Sequence, residues 1–129
     1  MVDRKPLSKA EMEIARILWG LGEATVRQVH DALPSTRDLD YTTVQTYLAR
    51  LESKGYLKYN IVDRSKVYSA RIRPGRVIGE AIDDFVSALF GGESLPLIRH
   101  LLSQQDITAA ELEELRRLID TAREADDDA

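Results

Sequence analysis

Apolar positions along the chain fall into two rhythms. From Met12 to Trp19 the apolar residues Met12, Ala15, Leu18 and Trp19 recur at helical spacing, which predicts an amphipathic helix with that stripe buried. Ser8-Lys9-Ala10-Glu11 precedes it with the spacing of a capping box, in which hydroxyl and carboxylate each satisfy an orphan backbone donor. Gly20 and Gly22 stop the helix. Thr25-Val26-Arg27-Gln28 repeats the capping pattern and opens a short second helix with Val26, Val29 and Leu33 facing inward. Pro34 marks its end, and residues 34–39 read as a loop. A third helix opens at Asp40 and runs to Ser53 or Lys54, with Gly55 as its stop. Val44, Leu48 and Leu51 share one face; Thr42, Gln45, Thr46, Ala49 and Ser53 fall on the other, flanked by Thr43 and Arg50.

Beyond Gly55 the period changes to two. Leu57, Tyr59 and Ile61 alternate with Lys58 and Asn60, Asp63-Arg64-Ser65 turns, and Lys66 to Ala70 returns, which predicts a β-hairpin with a cationic tip. Pro74-Gly75 is the strongest punctuation, and the domain boundary is expected there: 1–74 and 75–129. Three helices follow. Ile78, Ile82, Phe85 and Leu89 form a stripe up to Phe90, where Gly91-Gly92 interrupts. Leu95, Leu97, Ile98, Leu101 and Leu102 mark a short helix. Thr108-Ala109-Ala110-Glu111 caps a final one carrying Leu112, Leu115, Leu118, Ile119 and Ala122. The class is mainly α with a small β-hairpin. Its front half has the plan of a winged helix-turn-helix, and its back half that of a three-helix dimerisation region. Fifty-four residues rarely bury such wide stripes alone. A homodimer held by Ile78, Ile82, Phe85, Leu89, Leu112, Leu115 and Ile119 is therefore expected; packing of these helices back on the front half is the alternative.

Composition adds exclusions. The 129 residues contain no cysteine, which removes disulfides, thiolate zinc sites and cysteine nucleophiles. Only His30 and His100 are present, with His30 expected at the surface beside Asp31, so a histidine metal centre is excluded. Adjacent acids such as Asp83-Asp84 and Glu113-Glu114 point about 100° apart on a helix and read as solvated faces. No catalytic site, cofactor or metal is expected. No apolar run approaches the ~18 residues of a membrane span, and no signal core follows the N-terminus, so a cytoplasmic location is expected. The net charge of −4 conceals an asymmetry. Residues 1–75 carry 13 Lys/Arg against 9 Asp/Glu, whereas residues 76–129 carry 5 against 13. A basic front half suggests that this half meets a polyanion.

The third helix suits a DNA duplex. An α-helix fits the major groove, where Gln makes bidentate contacts to adenine and a Thr methyl touches a thymine methyl. Thr42, Thr43, Gln45 and Thr46 are the candidate base readers, and no acidic residue lies between Tyr41 and Arg50. Arg50 and Lys54 are placed for phosphate, and Arg64 and Lys66 at the hairpin tip for phosphate or the adjacent minor groove. Winged helices also serve as protein-interaction modules, which is the alternative reading. Steep salt dependence distinguishes a DNA binder from it.

These residues also carry a family likeness. The chain resembles the BlaI/MecI family of penicillinase and methicillin-resistance repressors over about residues 6–123. The resemblance rests on Leu7-Ser8-Lys9-Ala10-Glu11-Met12-Glu13 leading to Leu18-Trp19, on Thr43-Val44-Gln45-Thr46, and on Arg50-Leu51-Glu52-Ser53-Lys54-Gly55-Tyr56-Leu57. Arg64-Ser65-Lys66-Val67-Tyr68 continues it, and Phe85, Leu89-Phe90-Gly91-Gly92 and Glu111-Leu112-Glu113-Glu114-Leu115 complete it. It implies a homodimeric transcriptional repressor that binds a palindromic operator in double-stranded DNA. It also implies, as an indirect partner, a membrane sensor protease system that signals cleavage after Gly-Gly, by position near Arg99, His100 and Leu101. The family's Asn–Phe pair is not present there. Copper-responsive relatives sense through C-terminal cysteine pairs, a mode that a cysteine-free chain rules out.

Overall fold

The computed structural model describes residues 4–104 and 106–127. Its elements run α1 (Lys9–Leu21), β1 (Glu23–Ala24), α2 (Val26–Asp31), α3 (Tyr41–Ser53), β2 (Leu57–Val62), β3 (Ser65–Ala70), α4 (Pro74–Phe90), α5 (Leu95–Gln104) and α6 (Ala109–Asp127). The chain forms two compact units, the first ending at Glu80 and the second beginning at Ala81. The first unit therefore takes the opening turns of α4 with it. Pro74 starts that helix rather than preventing it, because the first helical residue has no use for the N–H that proline lacks.

Local chemistry sets the ends of the helices in the first unit. Ser8 with Glu11 and Thr25 with Gln28 both form complete capping boxes. Asp40 occupies the N-cap position of α3 in extended geometry, but its side chain makes no capping hydrogen bond. Gly55, at φ +88°, lets the chain leave α3 and enter β2. His30 is half-buried rather than at the surface. Its Nε2 lies 2.9 Å from the Leu39 carbonyl and ties down the loop between α2 and α3.

The core of this unit gathers Ile14, Ala15, Leu18, Val29, Val44, Leu48, Leu51, Leu57 and Tyr68, all nearly solvent-free. The stripe of α1 is thus shifted from the expected one. Met12 is 42% exposed and Trp19 only half-buried, while Glu11 sits in the buried row at 1% exposure. A carboxylate tolerates that place because Lys54 Nζ approaches Glu11 Oε1 to 2.6 Å and Ser8 N–H donates to it at 2.8 Å. Burial pushes the Glu11 pKa up. The Lys54 ammonium and the Ser8 donors outweigh it and hold the group below its ordinary value.

The sheet has three antiparallel strands in the order β1-β3-β2. Tyr59 faces Tyr68 and Val62 faces Ser65 across the hairpin, so the turn has two residues. Both are left-handed, Asp63 at φ +50° and Arg64 at φ +69°, as a tight hairpin turn requires. Strand β1 pairs Glu23 with Ser69 and Ala24 with Tyr68. Of the alternating residues in β2 only Leu57 is buried; Ile61 is 62% exposed because the wing projects beyond the core.

In the second unit, the remainder of α4 is followed by α5 and α6. Thr108 and Glu111 close the expected cap of α6. Neither α5 nor α6 contains a buried residue.

Candidate nucleic-acid interface

Helix α3 turns Val44, Leu48 and Leu51 into the core, which forces Thr42, Gln45, Thr46, Ala49, Arg50 and Ser53 outward. Between this face and the wing lies an open groove of about 940 Å³. Gln45, Thr46, Arg50, Arg64 and Lys66 all line it, so the structure brings these expected site residues together. Arg27 from the first turn of α2 and Tyr41 join them. Four cations and no carboxylate line the groove.

Aromatic faces hold three of those cations without neutralising them. The Arg27 guanidinium lies 5.7 Å from the Tyr41 ring, Arg50 lies 5.8 Å from Tyr47, and Lys66 Nζ lies 4.5 Å from Tyr59. A ring face restrains a cation but leaves its charge uncancelled, and so available to phosphate. Lys66 reaches Tyr59 diagonally across the hairpin, since its direct partner is Ile61. Arg64 occupies the exposed turn itself. Tyr68, buried at the floor, has its phenol pKa raised by burial and by the nearby Glu52 charge, so it stays neutral.

The threonines do not behave alike. Thr46 Oγ1 donates to the Thr42 carbonyl at 2.9 Å, which leaves its methyl and lone pairs for the groove. Thr42 and Thr43 lie round the flank of α3, in a shallower concavity shared with Thr46, Tyr47 and Arg50. Thr43 is half-buried there.

Lys54 has a second role. It was expected to meet phosphate, and its Nζ also binds Glu11 and, at 3.2 Å, the Pro6 carbonyl. Its charge is thus partly compensated by a buried carboxylate. Arg27 and Tyr41 went unrecognised in the sequence. The usable signal was position: Arg27 lies between the inward-facing Val26 and Val29, at the outer start of the helix preceding α3.

The expected dimerisation residues are exposed or half-exposed: Ile78 47%, Ile82 51%, Phe85 49%, Leu89 65%, Leu112 49% and Ile119 57%, with Leu115 half-buried. Leu95, Ile98, Leu101, Leu102 and Leu118 are exposed as well. Among the described residues there is no group of His, Asp and Glu able to hold a metal, and no helix is long and apolar enough to cross a membrane.

Comparison with known proteins decides the family. Residues 7–121 match the model of the penicillinase repressor family. The chain belongs to the penicillinase repressor family. As a member of it, the chain is a transcriptional repressor with a winged-helix DNA-binding fold. It is 35% identical over 115 residues to the transcriptional regulator BlaI of Mycobacterium tuberculosis, covering 88% of this chain and 82% of that one. Similarity to the penicillinase repressor of Staphylococcus aureus is 22% over 113 residues, covering 88% and 90%. The solution structure of the DNA binding domain of the repressor BlaI matches at 30% identity with a TM-score of 0.51, covering 57% of this chain and 90% of that one. These relatives are repressors and regulators rather than enzymes.

Proposed function

We propose that this penicillinase-repressor family member silences transcription by occupying a palindromic operator as a homodimer, in the cytoplasm and without catalysis. The observation that carries the reading is the groove between α3 and the wing, where four cations and no carboxylate surround the neutral Gln45 and Thr46. Cations at the rim attract any duplex, while short neutral groups on the helix distinguish base edges. Gln45 and the Thr46 methyl are assigned to bases. Arg27, Arg50, Arg64 and Lys66 are assigned to the backbone or, at the wing tip, the minor groove. Thr42 and Thr43, on the flank of α3, are assigned to the edge of the same contact.

Dimerisation follows from the bare stripes of α4, α5 and α6. Large apolar side chains about half exposed in a row are what a second copy would cover, and two-fold symmetry then demands an inverted repeat with half-sites about one helical turn or more apart. Arg99, His100 and Leu101 lie inside α5, so cleavage at that position, as the resemblance implies, would first require the helix to open.

Binding-site selection from random duplexes tests the reading. Recovery of an inverted repeat by the wild type, lost or blurred by Gln45→Ala, is expected. Recovery of no inverted repeat would overturn it.

A further inference from the structure

A second cleft shares Arg50 and Ser53 with the main groove but has no wing residue in its lining. Arg4, Lys5, Arg50, Ser53 and Lys54 line it. Arg50 and Ser53 belong to both this cleft and the main groove, so the cationic surface continues round α3 onto the N-terminal segment.

That segment is strapped down. Tyr56 Oη donates to the Lys5 carbonyl at 2.8 Å, and Lys54 Nζ donates to the Pro6 carbonyl. The Arg4 guanidinium lies over the Tyr56 ring at 5.3 Å and pairs with Glu80 Oε2 at 2.8 Å. The Arg4 side chain is only 8% exposed, so its charge is spent on Glu80. Lys54 is spent on Glu11. Among the described residues, Lys5 and Arg50 have no carboxylate partner, and both are exposed. The four-cation cleft thus has two neutralised cations forming its frame and two free ones at its mouth.

We propose that Lys5, Arg50 and the Ser53 hydroxyl form a seat for one DNA backbone phosphate, and that Arg4, clamped by Glu80 and Tyr56, is the positioning residue that keeps Lys5 there. The proposal rests on the DNA-binding reading above and extends the interface beyond helix and wing to a segment that has no regular structure. The strap supplies order in advance, so binding does not have to immobilise a loose terminus.

The test uses the full chain and a mixed-sequence duplex, since a backbone contact is indifferent to sequence. Lys5→Gln is expected to weaken binding about fivefold to tenfold at 0.1 M salt and to reduce the slope of log affinity against log salt by about 1. Glu80→Gln separates positioning from simple charge. Removing an acid strengthens DNA binding if only net charge counts, whereas release of Arg4 loosens Lys5 and weakens it. The structure calls for weakening, and for a double variant no weaker than Lys5→Gln alone. An unchanged affinity and slope for Lys5→Gln, or tighter binding by Glu80→Gln, would overturn the seat while leaving the groove assignment intact. A wild type with no salt-dependent binding to any duplex would overturn the DNA reading itself, and the seat with it.

Discussion

Thirteen apolar side chains are buried among the described residues, and all of them lie at or before Val77; α5 and α6 bury none. The two units carry amphipathic helices of similar quality, so the contrast is not one of local propensity. It lies in what each stripe meets. In the first unit α1, α2, α3 and the sheet supply partners within one chain. In the second, the stripes remain open to water. The first unit's stability is therefore a property of the single chain, and the second's, on the proposed reading, a property of chain concentration.

Thermal unfolding at two protein concentrations separates these cases. Leu48→Ala, at the centre of the closed core, should cost about 2–5 kcal/mol irrespective of concentration. Phe85→Ala combined with Leu115→Ala should instead lower the dimer's stability in a way that higher concentration restores. Sedimentation showing a monomeric wild type at micromolar concentration would remove the contrast.

Lys54→Ala is the next largest expected effect, about 2–3 kcal/mol, because it strands the Glu11 carboxylate inside the first unit. DNA affinity of the protein that remains folded should hardly change, which distinguishes a structural Lys54 from a phosphate-binding one. Acid titration checks the same pair. The Glu11 pKa is lower in the folded chain than in the unfolded one, despite burial, because of Lys54 and Ser8. Its contribution is thus fully present above the unfolded value near 4.5 and is lost as pH falls below that value through the folded one. Denaturant midpoints measured from pH 7 down to pH 3 should show this loss in the wild type and less of it in Glu11→Gln.

Gln45→Ala should cost about 1–3 kcal/mol on the operator and little on random DNA. Equal losses on both would demote it to a backbone contact. Smallest of all, Arg64→Gly should stabilise the turn by about 1 kcal/mol, since a non-glycine residue at φ +69° bears a steric penalty. The salt slope should meanwhile fall by about 1. If stability and binding moved together, the turn's strain and its charge would not be separate properties.

Much of this was legible in residue order, for identifiable reasons. Capping boxes at Ser8, Thr25 and Thr108 are local chemistry, and all three appear at the expected places. The inward row Val44, Leu48 and Leu51 fixes by subtraction which face of α3 is free. What escaped depends on partners distant in sequence. Strand β1 has two residues and exists only because β3 pairs with it. Glu11 reads only as a cap until Lys54, beyond the end of α3, makes its burial tolerable. The same ion pair gives Lys54 a structural partner, and no pattern within α3 announces that.

The strand order β1-β3-β2 has a kinetic consequence. The hairpin β2–β3 joins neighbours in the chain, and Asp63 suits the left-handed first position of its turn, but Arg64 at the second enters that geometry reluctantly, so the turn is a poor place for folding to start. Pairing of β1 with β3 closes a long loop containing α2, α3 and β2, and that entropy is recovered only after the helices have collapsed around Leu48. The wing should therefore zip last, from its root at Ala24 and Tyr68 toward its tip. In hydrogen exchange, the amides of Ala24 and Tyr68 should open only with the whole unit, while those of Val62 and Ser65 fray on their own. A wing of this kind is rigid where it joins the core and compliant at its tip.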